Sequence, residues 1–345
     1  MIPSPAMLSP LTRRRLDAFA RNRRGLVSLI VFVALAVVTL FAEVIANDRP
    51  LVIIMNNNVY FPVLKAYPEQ AFGGDFATEA NYREPYVQNL IAQNGGVILW
   101  PVIPFDYTTI DNASGEPHPQ PPSAAHWLGT DDRGRDVLAR VIYGVRLSIV
   151  FGLTLAVLST IIGVAVGAAQ GFYGGMVDLL GQRFLEIWSG MPVLYLLIIL
   201  ASLTTPTVGW LLLTMLLFSW MGLVGVVRAE FLRARRLDYV AAAQALGVGD
   251  GMIMWRHILP NAMVATLTFL PFAVNGAMVT LTALDFLGFG LPPGSPSLGE
   301  LVAQGKNNLQ APWLGITAFL VLSVLLSLLV FVGEALRDAF DPRQV

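Results

Sequence analysis

Residue types that make and break bonds are thinly spread in this chain. It has no cysteine, and His118, His126 and His257, its three histidines, are too scattered to suggest a metal centre. Gly305-Lys306 is the one hint of a phosphate-binding loop, and it fails. Gly299 lies one residue too far upstream, and Asn307 stands where a Ser or Thr must meet magnesium. The densest ionic pattern is Asp131, Asp132, Arg133, Arg135, Asp136 and Arg140. Alternating charges beside an apolar span point to a salt-bridged turn that positions the next helix, in preference to substrate contact.

The chemistry that remains is mechanical. In Asp238-Tyr-Val-Ala241-Ala242-Ala243-Gln-Ala-Leu-Gly247, Asp238 is placed to cap a short helix of good helix formers. Gly247 is placed to end that helix in a left-handed conformation. A second amphipathic stretch, Met252-Ile-Met-Trp255, leads through His257 to Pro260, which suits the first turn of a further helix. Two short helices lying on a membrane surface would result, with alanines small enough for another protein's groove to approach. An interfacial connector without a partner is the alternative.

Apolar runs must position these segments. Of 345 residues, 55% are apolar and 13% charged, against about a quarter charged in a soluble domain. Six runs approach the roughly 20 residues needed to cross a bilayer. They are 25–42, 147–169, 184–203 (interrupted by Glu186 and Pro192), 208–227, 261–284 (containing Pro271 and Asn275) and 313–333. An all-α integral membrane protein of six transmembrane helices is expected. The first run is read as an uncleaved signal-anchor, since about 18 apolar residues exceed a signal-peptide core.

Arginines set the orientation. Arg13, Arg14, Arg15, Arg21, Arg23 and Arg24 precede the first span, and Arg228, Arg233, Arg235, Arg236 and Arg256 follow the fourth. The opposite short loops hold only Lys306. Both termini are therefore expected inside. The parts are a basic cytoplasmic tail (1–24), a first helix (25–46), a periplasmic insert (47–145), a core of five helices with a cytoplasmic loop at 228–260 (146–334), and a tail (335–345). The insert carries eleven Asp/Glu against six Lys/Arg, and its islands Val59–Val63 and Val97–Trp100 read as short strands. It caps the helix ends or docks a soluble binding protein; both readings stand.

Ionisable and helix-breaking residues within spans need partners. Glu186 and Asp285, near span ends, are expected to pair with backbone or arginine. Pro192, Pro271, Asn275 and Gly276 interrupt helices near mid-depth, which is tolerated against protein or water. Helices three and five are thus expected to line a translocation path.

Three segments carry a family resemblance. Ala242-Ala243, Gly247 and His257-Ile-Leu-Pro260 resemble the "EAA" signature of ABC importer permeases, with Ala241 in place of the leading Glu. His126-Trp-Leu-Gly-Thr-Asp131 through Arg140, with Leu284-Asp-Phe-Leu-Gly-Phe-Gly-Leu-Pro292 and Ser295 to Glu300, resembles dipeptide and oligopeptide permeases of the second-subunit type. The long first loop is similar to the microcin C/peptide importer branch. The resemblance implies a type I importer fold in the bacterial inner membrane and a peptide substrate. It also implies a second, homologous permease, two ABC ATPase subunits and a periplasmic peptide-binding protein. ATP and Mg would bind in the ATPases and no cofactor in this chain, which is not itself the enzyme. Residues 238, 241–243, 247, 257 and 260 would then contact the ATPase.

Two other classes are weighed against this. A proton-coupled secondary transporter needs titratable groups deep in the bundle, and many such folds show an internal repeat absent here. A membrane-anchored enzyme or assembly factor would leave the Gly247 segment without a role. The net charge of −1 argues against nucleic-acid binding.

Overall fold

The computed structural model describes residues 10–111, 115–204 and 207–340. Its helices are α1 (Pro10–Arg21), α2 (Arg23–Leu40), α3 (Ala42–Ile45), α4 (Pro85–Gln93), α5 (Val137–Tyr173), α6 (Gly175–Ser189), α7 (Val193–Leu203), α8 (Val208–Ser219), α9 (Met221–Ala234), α10 (Asp238–Ala245), α11 (Asp250–Met252), α12 (Leu259–Phe286), α13 (Leu298–Asn307) and α14 (Pro312–Phe340). Strands β1 (Val52–Met55), β2 (Asn58–Tyr60) and β3 (Val97–Leu99) are the exception to a helical chain. Two compact units form. One takes in the chain up to Ala34, Ser148–Pro292 and the stretch from Leu322; the other is Leu35–Leu147 with Pro293–Val321.

Among the described residues, four helices are long and apolar enough to cross a membrane: α2, α5, the continuous helix Asp250–Phe286, and α14. The pairs α6/α7 and α8/α9 pass the same test together but bend by 70° and 41°. The spans therefore number four, or six if each bent pair crosses once. The first break falls where expected, with Pro192 capping α7. The second, at Trp220, was not expected. There the Leu217 carbonyl accepts from the indole N–H groups of Trp188 (3.1 Å) and Trp220 (3.0 Å), which draws it out of the helical ladder.

Three boundaries differ from expectation. Helix α5 starts at Val137, ten residues before Leu147, because Asp136 accepts a hydrogen bond from the Ala139 N–H (2.7 Å) and caps it. The fifth apolar helix begins at Asp250 rather than Asn261, so the second short helix of the loop is its first turns. It then runs unbroken through Pro271, Asn275 and Gly276, contrary to the expected interruption. Pro271 forfeits one helical bond, to the Leu267 carbonyl, and buried side chains on either side hold the helix.

In the first unit, α5 meets α9 along Gly163, Gly167 and Gly171. A Cβ on these glycines would stand 2.7, 2.8 and 2.6 Å from the carbonyl oxygens of Trp220, Val224 and Arg228. One turn separates each glycine from the next, so backbone rests on backbone over two turns. Further along, Asp178 of α6 takes both Nε (2.5 Å) and Nη2 (2.7 Å) of Arg228.

In the second unit, β2-β1-β3 form an antiparallel sheet. Asn56 and Asn57 turn β1 into β2 with φ of 49° and 63°, the two-residue hairpin geometry asparagine tolerates. Ile53 and Met55 point into a core with Phe72, Tyr82, Val87 and Ile91. Burial pushes the Tyr82 hydroxyl up to about 12. The islands at 59 and 97 thus become β2 and β3, though 61–63 is not strand.

The same unit contains the ionic turn. Asp131 and Arg140 are wholly buried and meet at 3.0 Å; Arg135 reaches Asp131 at 2.6 Å. Glu300 of α13 accepts from Arg140 (2.9 Å) and Arg135 (3.3 Å). Ser297 caps α13 by accepting from the N–H of Gly299 and Glu300, which sets Glu300 in its first turn. Asp132 and Arg133 stay exposed. His126 bridges Asp136 (2.7 Å) and Asp111 (3.2 Å), with the Phe105 ring 4.3 Å away and tilted by 38° to its own. The salt-bridged turn expected at 131–140 is present, and it positions α5.

Candidate coupling site and membrane cavity

Leu237 has extended backbone, and α10 starts at Asp238. Asp238 is therefore the first helical residue and makes no side-chain cap, correcting the role expected of it. The other end is as expected. Gly247 has φ of +76° and donates to the Gln244 carbonyl (2.9 Å), while the Val248 N–H reaches back to Ala243 (3.1 Å). This reciprocal pair closes the helix and needs a left-handed residue between its donors. A Cβ at Gly247 would meet no atom within 4 Å, so the glycine is required by conformation, not by space.

The turn has two faces. Val240 and Ala243 are buried with Phe172, Val227, Phe231, Ile253 and Ile258, which fixes α10 to the ends of α5, α9 and α12. Ala241 and Ala242 lie exposed beside Leu246, which is 83% exposed, whereas Trp255 lines a separate apolar groove with Ile161, Val164 and Met263. Leu246, apolar and open at the end of a short helix, is surface that another protein can cover. Arg235 is committed inward, donating to the Phe172 carbonyl (3.1 Å), and Arg233 pairs with Glu230 (2.7 Å). Arg236, Asp238, Asp250 and Arg256 are exposed without an ion pair among the described residues.

Between α11 and α12 the backbone makes a π turn over Ile253–Ile258, with the Leu259 N–H bonded to Met254. Pro260 has no N–H to offer the Arg256 carbonyl, and the wider turn precedes it. His257 sits half-buried in this turn and Pro260 is exposed just after it.

A cavity of about 310 Å³ opens among α5, α7, α8, α9 and α12. Gly276 and Val193, the residue after Pro192, line it, with Leu155, Ser159, Leu197, Met215 and Phe218. The Ser159 hydroxyl is buried there with no hydrogen-bond partner among the described residues. Pro271 is buried outside the lining, and Asn275 donates to the Leu326 carbonyl of α14 (3.0 Å). Of the four helix-breaking residues, Gly276 alone faces the cavity. Asp285 accepts from the Leu291 N–H (2.7 Å) and Glu186 pairs with Arg183 (2.6 Å), backbone and arginine partners as expected.

Residues 159–345 match the family described as the inner membrane component of binding-protein-dependent transport systems. The chain belongs to that family. It is therefore a multi-pass inner-membrane permease subunit of an ABC importer, and a transport component rather than an enzyme. The permease is 58% identical to the inner membrane ABC transporter permease protein YejE of Escherichia coli K12, over 98% of both chains. It is 53% identical to the peptidoglycan transport system permease protein YejE of Agrobacterium fabrum, over 99% of this chain and 96% of that one. Identity to the oligopeptide transport system permease protein OppC of Bacillus subtilis is 34%, over 69% and 78%. A proton-coupled transporter and a membrane-anchored enzyme are both set aside by this membership. The matched stretch of the permease contains Gly247 and every cavity residue except Leu155 and Ala156. Glu300 and the Gly163-Gly167-Gly171 row were missed as structural residues, although the four-residue glycine spacing is visible in the sequence.

Proposed function

We propose that this permease imports peptides or peptide-bearing cell-wall fragments, drawing its energy from ATP hydrolysed with Mg in two partner ATPase subunits. The names of the relatives, which are oligopeptide and peptidoglycan transport permeases, support that substrate class. The six-span reading is N-in and C-in, with 47–145 on the periplasmic side, and rests on the arginine distribution. A second, homologous permease completes the path. A periplasmic binding protein delivers substrate to the outer face, where the exposed Ile54, Val59, Val97 and Leu99 of the β-sheet offer it apolar surface.

One observation carries the coupling role. The Gly247 turn presents Ala241, Ala242 and Leu246 to solvent while Val240 and Ala243 are locked into the core. An ATPase cleft closing on this face would move α10, and the shared core would pass that motion to α9 and α12. The cavity beside Gly276 and Ser159 is this chain's share of the path. Extraction in mild detergent should recover both ATPase subunits and the second permease. Leu246→Asp should shed the ATPases and keep the second permease. Uptake that survives ATP depletion on a proton gradient alone would overturn the assignment.

A further inference from the structure

A groove of about 550 Å³ lies among α1, α9, α12 and α14, with Leu237 and Tyr239 at the start of α10 on its rim. Three guanidinium groups line it from three helices: Arg15, Arg233 and Arg337. Its single carboxylate, Glu230, is already bound to Arg233 at 2.7 Å. Arg15 lies over the Phe340 ring (4.8 Å), and neither Arg15 nor Arg337 has a carboxylate partner among the described residues. The groove thus keeps an excess of positive charge. Its other wall is α12, where Val264 and Ala265 continue the lining with apolar surface.

A small anion would use the guanidinium groups and leave that wall bare. A water-soluble acidic partner would do the same. A phosphodiester headgroup joined to an acyl chain uses both, since basic pockets between membrane helices hold anionic headgroups. The amphipathic α1 supports this, with Arg13, Arg14 and Arg21 along a helix suited to the interface. We propose that this groove binds the headgroup of an anionic phospholipid, with its acyl chain along α12. The proposal rests on reading the arginine-rich ends as lying at the inner membrane surface.

The test uses the whole transporter, delipidated and returned to nanodiscs of phosphatidylcholine with or without phosphatidylglycerol. Native mass spectrometry should find phosphatidylglycerol retained on the permease and phosphatidylcholine exchanged. The double variant Arg15→Gln/Arg337→Gln should weaken that retention by about tenfold or more. Equal retention of the two lipids, or no effect of the double variant, overturns the site. Protection by inorganic phosphate alone replaces the lipid with a free anion and overturns it as well. Loss of the ATPases from the variant complex would reassign the groove to protein docking. The side of the membrane is read separately, by labelling Arg13→Cys in inside-out vesicles of this cysteine-free chain. Failure of the orientation is thereby distinguished from failure of the lipid site.

Discussion

Gly167 of α5 lies so close to α9 that a Cβ on it would stand 2.8 Å from the Val224 carbonyl oxygen and 2.9 Å from the Val227 Cβ. Neither obstacle is a flexible side-chain end, so the helices themselves must part to admit one. Gly167→Leu is expected to cost about 1–3 kcal/mol, the range of overpacked cores. The thermal unfolding midpoint in detergent should fall accordingly. Gly225→Ala on α9, where a Cβ meets nothing within 4 Å, should be neutral or stabilise by up to about 1 kcal/mol. Equal loss in both variants would deny the close approach.

Gly247 is open in space and constrained in conformation. Gly247→Val should strain the left-handed turn and misplace Leu246, while Gly247→Asn should be tolerated better. In proteoliposomes the valine variant is expected to hydrolyse ATP without matching substrate uptake. Normal coupling in that variant would remove Gly247 from the mechanism.

Arg140 is buried between Asp131 and Glu300, so its loss leaves charge without compensation. Arg140→Met is expected to destabilise the second unit by up to about 3–5 kcal/mol. Glu300→Gln should cost less, because Asp131 still holds both arginines at 3.0 Å or closer. Limited proteolysis between residues 115 and 140 would report the difference, and identical cleavage of both variants would contradict it.

His126 gives that unit a pH dependence. Burial alone would lower its pKa, but the hydrogen bonds and charges of Asp136 and Asp111 outweigh it and hold the imidazole above its ordinary value. Arg83 lies 3.7 Å from Asp111 on the same side. A raised folded-state pKa means the stabilisation is complete below the ordinary histidine range and is lost as pH rises through the folded value. Unfolding midpoints measured from about pH 6 to about pH 9 should therefore fall more steeply in the native chain than in His126→Gln. Parallel profiles would show that His126 does not titrate with folding.

Local signals were legible in the residues, and tertiary ones were not. Gly247 and Pro192 announce a left-handed stop and a helix break, and both are where the backbone does these things. Asp131 and Arg140 announced an ionic turn, yet Glu300, 160 residues beyond Arg140, belongs to it through the fold alone. At the bend at Trp220 the Leu217 carbonyl accepts from Trp220, three residues on, and from Trp188, a contact 29 residues away that no local pattern encodes. Pro271 misled in the other direction, since a proline weakens a helix without obliging it to break when its neighbours are buried.

The wide turn over Ile253–Ile258 makes the aim of the coupling face a matter of counting. It closes its hydrogen bond over five residues where the helix beyond closes over four. Removing one residue from it would restore an uninterrupted α-helix and swing everything before it about 100° around the axis. Trp255 and the α10 surface would then point elsewhere, although α12 itself need not change. A chain shortened by one residue there should still insert into the membrane and still fail to retain its ATPases. Under the coupling role proposed here, registry at one turn, rather than any single side chain, sets the direction in which this subunit is pushed.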